Sequence, residues 1–300
     1  MEKALLMHGL MDHAEEGSAA GNPTVMPGVG GTYPTFLFGD QVVKLLGHVG
    51  PWNDIYKAEV GAHAIVAGDA NILVPSLIGT GYLFDGCDES WPYLITERVQ
   101  GLSWDDCDFA RDMKVSAAVQ LGKQLTLVHG LKVQRFSREL KVQSSNFMKS
   151  EIENGLKKSS LPSKLISYVP DFLKSFQSVE SEICMVHADL IGRHVFFDDG
   201  VLSGIIDWGD ATMADREYEL SKLHLDLFSC DKNLLKEFLN ASCWQVSDNF
   251  ARKALAMAIV RQIQGANHHL TFDTFYKIGS VDSIEEVESL GDLADLLFAV

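Results

Sequence analysis

No stretch of this sequence approaches the roughly 18 to 20 consecutive apolar residues that a membrane-spanning helix requires. A secretion signal is missing too, because residues 4–11 are apolar but short, broken by His8 and Gly9, with no basic stretch or small-residue cleavage site around them. Cysteine is sparse. Cys87, Cys107, Cys184, Cys230 and Cys243 are odd in number, widely spaced and form no Cys-x-x-Cys pair, which excludes a disulfide framework and a zinc-finger spacing. These absences predict a cytoplasmic protein with reduced thiols and no membrane partner. Positive charge is also scarce, with 25 Lys and Arg against 41 Asp and Glu and a net charge of −16. That balance repels a phosphate backbone, so nucleic acid is not expected as a general partner, although a locally basic cleft fits within an acidic protein. Neither the P-loop nor the dinucleotide-binding glycine fingerprint occurs.

What is present is a chain with 46% hydrophobic residues, enough to bury a sizeable core in one large domain or two packed lobes. Residues 1–24 show no durable periodicity and run into a Pro- and Gly-rich turn at 23–31, which predicts a mobile start. Residues 35–46 then read as two short strands turning at Gly39-Asp40. Residues 53–66 have helical spacing, with Ile55, Ala58, Ala62 and Ile65 or Val66 towards one side and Asn53 as capping candidate. Further short strands are predicted at 72–78, 81–84 and 93–99.

From Trp104 the pattern becomes helical. Val115, Ala118, Val119, Leu121, Leu125 and Val128 form a stripe within 115–131, and further helices are predicted at 149–157, 170–176, 216–228, 233–243, 249–263 and 283–300. One interruption stands out: residues 183–190 and 194–207 read as strands, with a hairpin turn at Asp198-Asp199-Gly200. A strand-rich region, 25–99, is thus followed by a mostly helical one, 100–300. The layout is α+β, with a ligand cleft expected between the two regions.

Chemistry concentrates around that hairpin. Val186-His187-Ala188-Asp189-Leu190-Ile191-Gly192-Arg193-His194 precedes it and Ile205-Ile206-Asp207-Trp208-Gly209-Asp210 follows. Asp189 and Asp207 therefore sit on loops at its two ends, where rigid apolar strands bring two carboxylates to one point. Such a pair suits metal-assisted group transfer, in which one carboxylate orients or deprotonates a hydroxyl and the other holds a magnesium ion.

These residues resemble the aminoglycoside phosphotransferase and choline kinase-like family, whose pattern is His-x-Asp, four residues, Asn, a hairpin and Ile-Asp-Trp/Phe-x-Asp/Glu. The resemblance implies a bilobal protein-kinase-like fold, with a small strand-rich N-lobe and a larger helical C-lobe. It also implies ATP and Mg2+ as cofactors and a small-molecule hydroxyl as phosphoryl acceptor. By position, Asp189 is the catalytic residue and Asp207 a metal ligand. His194 stands where the usual member has Asn; imidazole ligates divalent metals, but magnesium prefers oxygen, so this departure bears on metal use.

Farther upstream, Lys44 in Val42-Val43-Lys44-Leu45 and Glu59 in the following helix match the family's phosphate-binding lysine and its helix partner. Gly30 and Gly31, in Gly28-Val29-Gly30-Gly31, are candidates for the loop whose backbone approaches phosphates. Tyr93-Leu94-Ile95-Thr96-Glu97-Arg98-Val99-Gln100-Gly101 resembles the hinge, placing adenine near Glu97 and Val99. The acceptor is expected against 134–176 and the C-terminal helices. His129 and Asp215 are given structural roles, and His268 and His269 a surface position or a place in the acceptor pocket.

Two other readings are open at this level. His194 motivates a catalytically weakened nucleotide-binding module, which would bind ATP without turnover. His187, Asp189 and a distant His268 would form the facial triad of a non-haem iron oxygenase, a reading that the helical second half opposes.

Overall fold

Branched and aromatic residues on either side of Gly39-Asp40 fold as β2 (Thr35–Phe38) and β3 (Gln41–Leu45), paired antiparallel with Thr35 opposite Lys44. Gly39 takes the left-handed conformation, φ 56°, that the tight turn requires. The computed structural model describes residues 25–28, 31–84, 86, 90–137, 139–140, 147–176, 183–268 and 272–300 of the chain. The segment 1–24, expected to be mobile, lies outside the described residues.

With β1 (Met26–Pro27), β4 (Leu77–Leu83) and β5 (Trp91–Glu97), these strands form an antiparallel sheet in the order β1-β2-β3-β5-β4. Where the periodicity predicts two strands at 72–78 and 81–84, one strand runs through, with a register shift between Leu77 and Gly79 absorbing the irregularity. Residues 72–76 are instead irregular, and the Leu73 N–H donates to Gln124 Oε1 at 2.9 Å.

Helix α1 (Trp52–Val66) crosses behind the sheet. It begins one residue earlier than expected. Pro51 takes the cap position, so Asn53 lies inside the first turn and not at its cap. The chain leaves the sheet through residues 98–101. Gly101 has φ +92°, and a Cβ there would come within 2.1 Å of the Phe197 carbonyl oxygen, so only glycine permits this crossing.

Beyond the crossing, β6 (Leu102–Ser103) pairs with β9 (Val195–Asp198), which turns back into β10 (Val201–Ile205). The turn residues Asp199 and Gly200 have φ of 47° and 79°, the left-handed pair that an Asp-Gly hairpin favours. A second small sheet joins β7 (Glu139–Leu140), β11 (Thr212–Asp215) and β8 (Ile183–Val186) in the order β7-β11-β8. The rest is helical: α2 (Arg111–His129), α3 (Lys149–Leu156), α4 (Val169–Lys174), α5 (Lys232–Ala241), α6 (Phe250–His268) and α7 (Leu290–Phe298).

Helix α6 is the spine of this half. Leu255, Ala256, Met257, Ala258, Ile259 and Val260 are all fully buried, the pattern of a helix enclosed on every face. Two predicted helices are shorter than their periodicity suggests. The stretch 216–228 breaks into a 3-10 turn (Arg216–Glu219), one α turn (Leu220–Lys222) and a π-helical segment (Leu223–Leu227), closed by Ser229 and Cys230 at positive φ. The C-terminal helix starts only at Leu290, where Ser289 Oγ accepts the Asp292 N–H, because Ser283 is left-handed. Among the described residues no helix is long and apolar enough to cross a membrane.

Candidate active site

The strand before the first acidic loop stops at Val186, not at residue 190 as its apolar run suggests, because the next backbone groups bond elsewhere. Ala188 has φ 67°, a conformation that costs a residue with a Cβ on the order of 1 kcal/mol. It is held there from two sides. Both carboxylate oxygens of Glu219, fully buried, accept backbone hydrogens, from His187 N–H at 2.8 Å and Ala188 N–H at 2.9 Å. On the other side Arg261, brought in by α6, donates to the Ala188 carbonyl through Nη1 and to Asp189 Oδ1 through Nη2 at 3.1 Å. The guanidinium is wedged near the rings of Tyr218 and Phe272, with centroids 5.6 and 5.7 Å away.

His187 is also fully buried. A carbonyl oxygen only accepts, so the 2.9 Å contact between His187 Nε2 and Ile206 O fixes the ring hydrogen on Nε2. Nδ1 then accepts the Asp189 N–H at 3.2 Å. Burial holds the pKa of this imidazole below its ordinary value, despite the opposing charge of Glu219. With both nitrogens engaged inside the protein, His187 has no lone pair for iron, and the facial-triad reading fails on that ground. The side chain of His268, its proposed third ligand, and all of His269 lie outside the described residues.

Asp207 takes up the other end of the hairpin in a left-handed conformation, φ 64°, which Asp tolerates better than most residues. Lys44 reaches it from the opposite wall: its Nζ lies 2.8 Å from Asp207 Oδ1 and 2.8 Å from Glu59 Oε2. Burial by itself would lower the lysine pKa, but the two carboxylates outweigh it and the pKa is raised. The same lysine outweighs burial at Asp207 and holds that carboxyl well below its usual range. At Glu59 burial prevails and the pKa is raised. Lys44 is therefore a firmly protonated cation shared by two elements distant in sequence.

His194 sits between the two acidic residues. Its Nδ1 is 2.8 Å from the Asp189 carbonyl oxygen and 3.5 Å from Asp189 Oδ2, while Nε2 is 3.5 Å from Asp207 Oδ2. Among the described residues no cluster of three or more His, Cys, Asp or Glu side chains could enclose a metal ion by itself.

One cleft of about 410 Å3 lies between the sheet and the helical half, with His187, Glu219 and Arg261 behind its wall. Lys44, Glu59, Asp189, His194 and Asp207 meet at its inner end, and Gly31, Glu97 and Val99 line it farther out. Gly30 lies outside the described residues. Glu97 is exposed and accepts the Ser76 hydroxyl at 2.8 Å, and Val99 packs against Gly204, where a Cβ would approach its methyl carbons at 2.8 Å.

His129 lies buried 3.5 Å from Glu219 Oε2 and edge-on to Trp244. Asp215 pairs with Lys253 at 3.1 Å, a lysine that Glu217 shares at 3.0 Å. Sequence reasoning missed Glu219 and Arg261. Each left a signal: Glu219 lies in Tyr218-Glu219-Leu220, shortly after the second acidic loop, and Arg261 is a cation in an otherwise apolar helical run, which demands a buried partner.

The family model described as APH, phosphotransferase enzyme family, matches residues 56–256. Among solved structures, the chain is similar to the GDP and kanamycin complex of APH(2")-IIia, at 18% identity and a TM-score of 0.66, covering 92% of this chain and 93% of that one. It is similar to the streptomycin-ATP-APH(2")-IIa ternary complex at 18% identity and TM-score 0.60, covering 84% and 92%. A choline/ethanolamine kinase family protein from Mesorhizobium loti matches at 15% identity and TM-score 0.60, covering 93% and 94%. At these identities the structures establish the bilobal protein-kinase-like fold.

Proposed function

Because the chain belongs to the phosphotransferase enzyme family, we propose that it is an ATP-dependent kinase that moves the γ-phosphoryl group to a hydroxyl of a small molecule. The observation that carries this reading is the bridge at the inner end of the cleft, where Lys44 Nζ is held at 2.8 Å by both Glu59 and Asp207. A protonated lysine fixed at the mouth of two acidic loops is an arrangement for phosphate oxygens and their counter-cation. An ATP complex and a GDP complex among the similar structures support a nucleotide in this cleft.

Residues 25–99 would bind the nucleotide and residues 100–300 the acceptor. The adenine would lie against the backbone near Glu97 and Val99, with Gly30 and Gly31 leaving room for main-chain approach to the phosphates. A divalent cation fits the donor set of Asp207 Oδ2 and His194 Nε2, 3.5 Å apart, with its remaining ligands from nucleotide and water; Mg2+ would draw on the carboxylate oxygen more than on the ring nitrogen. When bound, the cation neutralises charge on the phosphoryl oxygens.

Asp189 would orient the acceptor and take its proton. Arg261 engages Oδ1, and the carboxylate is partly open to the cleft. As the hydroxyl oxygen bonds to the γ-phosphorus, the bond to the β,γ-bridging oxygen breaks and ADP departs with that electron pair. The hydroxyl proton passes to Asp189. The protein's contribution is mainly position and charge.

The test is ADP release by the purified protein with Mg2+ or Mn2+, across aminoglycosides, macrolides, choline-like amines and sugars. Acceptor-dependent release is expected, falling at least about 100-fold in Asp189→Ala. ATP binding without turnover on any acceptor would instead favour the weakened binding module, and absence of nucleotide binding would refute the reading.

A further inference from the structure

His194 is held more tightly than a ring that only fills space. Its N–H donates to Ile191 O at 3.0 Å and its carbonyl accepts the Ile206 N–H at 2.9 Å, which ties it to both acidic loops. It lies on a short 3-10 turn, Gly192–His194, whose first residue leaves room for the Asp105 carboxylate, which a Cβ there would displace. The side chain is only 9% exposed.

The hydrogen-bond chemistry then fixes the tautomer. The Asp189 main-chain carbonyl, 2.8 Å from Nδ1, can only accept, so Nδ1 carries the hydrogen and the neutral ring keeps its lone pair on Nε2. Nε2 is the atom 3.5 Å from Asp207 Oδ2. Lys44 occupies the other oxygen of that carboxylate, so Oδ2 is the one left for a cation. A ring nitrogen bonded to a backbone carbonyl, with the opposite nitrogen beside a carboxylate, is the arrangement of a metal-ligating histidine.

We propose that His194 is a nitrogen ligand that makes this cation position favour first-row transition-metal divalent ions over Mg2+, so that even Mn2+, the weakest nitrogen binder among them, is preferred to Mg2+. The inference rests on the phosphotransfer reading above and concerns the same site. Mg2+ demands oxygen ligands in a near-ideal octahedron and yields its water reluctantly, whereas first-row transition-metal ions, Mn2+ the weakest among them, accept an imidazole nitrogen. Backbone hydrogen bonds on both sides of the residue and the Asp189 carbonyl on Nδ1 hold the ring in place.

The experiment uses the full-length protein with Mn2+ and a non-hydrolysable ATP analogue, read by pulsed electron paramagnetic resonance. A directly coordinated imidazole gives a 14N modulation, and 15N-histidine labelling of the unmutated protein must convert it to a 15N signal. In His194→Asn the modulation is expected to vanish and the Mn2+ dissociation constant to rise about tenfold or more, with that for Mg2+ changing less. Nucleotide-dependent Mn2+ binding without histidine-nitrogen coupling would overturn the proposal and leave phosphotransfer standing. Equal Mn2+ and Mg2+ responses to His194→Asn would also overturn it. Absence of nucleotide binding would remove the phosphotransfer reading and this inference with it. The labelling result decides the matter even if the variant fails to fold.

Discussion

The two walls of the cleft rest on very different amounts of core. The sheet side buries two small groups, Phe38, Val43, Leu45, Leu83, Tyr93 and Ile95 on one face and Tyr33, Leu46, Tyr56 and Leu94 on the other. The helical side is one continuous cluster that includes α2, most of α6 and α7. Polar detail follows the same division. On the helical side Glu219, Arg261 and His187 each fix part of the loop that carries Asp189. On the sheet side the buried charge of Lys44 is held by partners outside its own strand pair. Helix α1 belongs to both walls, since Tyr56 packs with the sheet while Ala62 and Val66 join the helical core. The difference teaches a division of labour: under the proposed reaction Asp189 would react where the structure is most heavily packed, and Lys44 would grip phosphate on the wall with less holding it. Amides of β1 to β5 should exchange with deuterium faster than those of α6, and uniform protection would break the comparison.

The largest expected effect comes from the stiff wall. Arg261→Met leaves the Ala188 carbonyl and Asp189 Oδ1 without their donor, and breaking a buried ion pair typically costs about 3 to 5 kcal/mol. Chemical denaturation measures that loss. Arg261 acts as a positioning residue through Asp189, so Arg261→Lys is expected to recover much of the stability but not turnover, because an ammonium cannot span two acceptors as the planar guanidinium does. Nucleotide affinity should stay within about threefold in both variants. A matching loss of nucleotide affinity would show that the damage is general.

Next come paired truncations that compare the walls directly. Ile259→Ala, in the enclosed middle of α6, is expected to cost about 4 kcal/mol in global stability. Val43→Ala, equally buried in the sheet, should cost about 1 to 2 kcal/mol and weaken nucleotide binding, with protection of α6 amides unchanged. Loss of α6 protection in Val43→Ala would mean that the walls unfold as one unit.

How far the sequence reveals this design depends on what fixes each element. The first hairpin, α1, α2 and the Asp198-Asp199-Gly200 turn are set by local pattern, and each was readable. Lys44, Glu59, Asp189, His194 and Asp207 were readable as a group because they stand in the order of the motifs of the family the sequence resembles, and the fold brings them to one cleft. Where the reading stopped, the cause was long-range. Residues 183–190 are apolar enough for a strand, but Glu219 takes the N–H of His187 and Ala188 and turns the backbone into a loop. Asn53 is a good cap by type, yet Pro51 starts the helix before it. The stretch 216–228 has helical composition but tightens and widens by turns, and Asp226 within it meets the distant Tyr276 and Lys277. No local period encodes partners fifty residues away.

The smallest effect separates the walls by acidity. His63, on α1, and His224, under α7, are both buried, and burial pushes each pKa down to about 4 from an ordinary 6.5. Charge on Lys44 adds to the shift at His63, while backbone hydrogen bonds to Pro75 and Leu297 oppose it at the two sites. A histidine kept neutral in the fold binds fewer protons than in the unfolded chain between these values, so stability rises with pH from about 4 to about 6.5 and is level above. Each shift corresponds to at most about 3 kcal/mol across that window. Denaturant titrations at pH 5 and 7 should therefore differ, and His63→Gln or His224→Gln should each remove part of the difference. The two should differ in reach. At pH 5, His63→Gln is expected to restore amide protection mainly in α1 and the sheet, whereas His224→Gln restores it throughout the helical half. Equal recovery in both halves from either substitution would mean that the seam at α1 transmits strain fully, and that the softness of the sheet wall is not local.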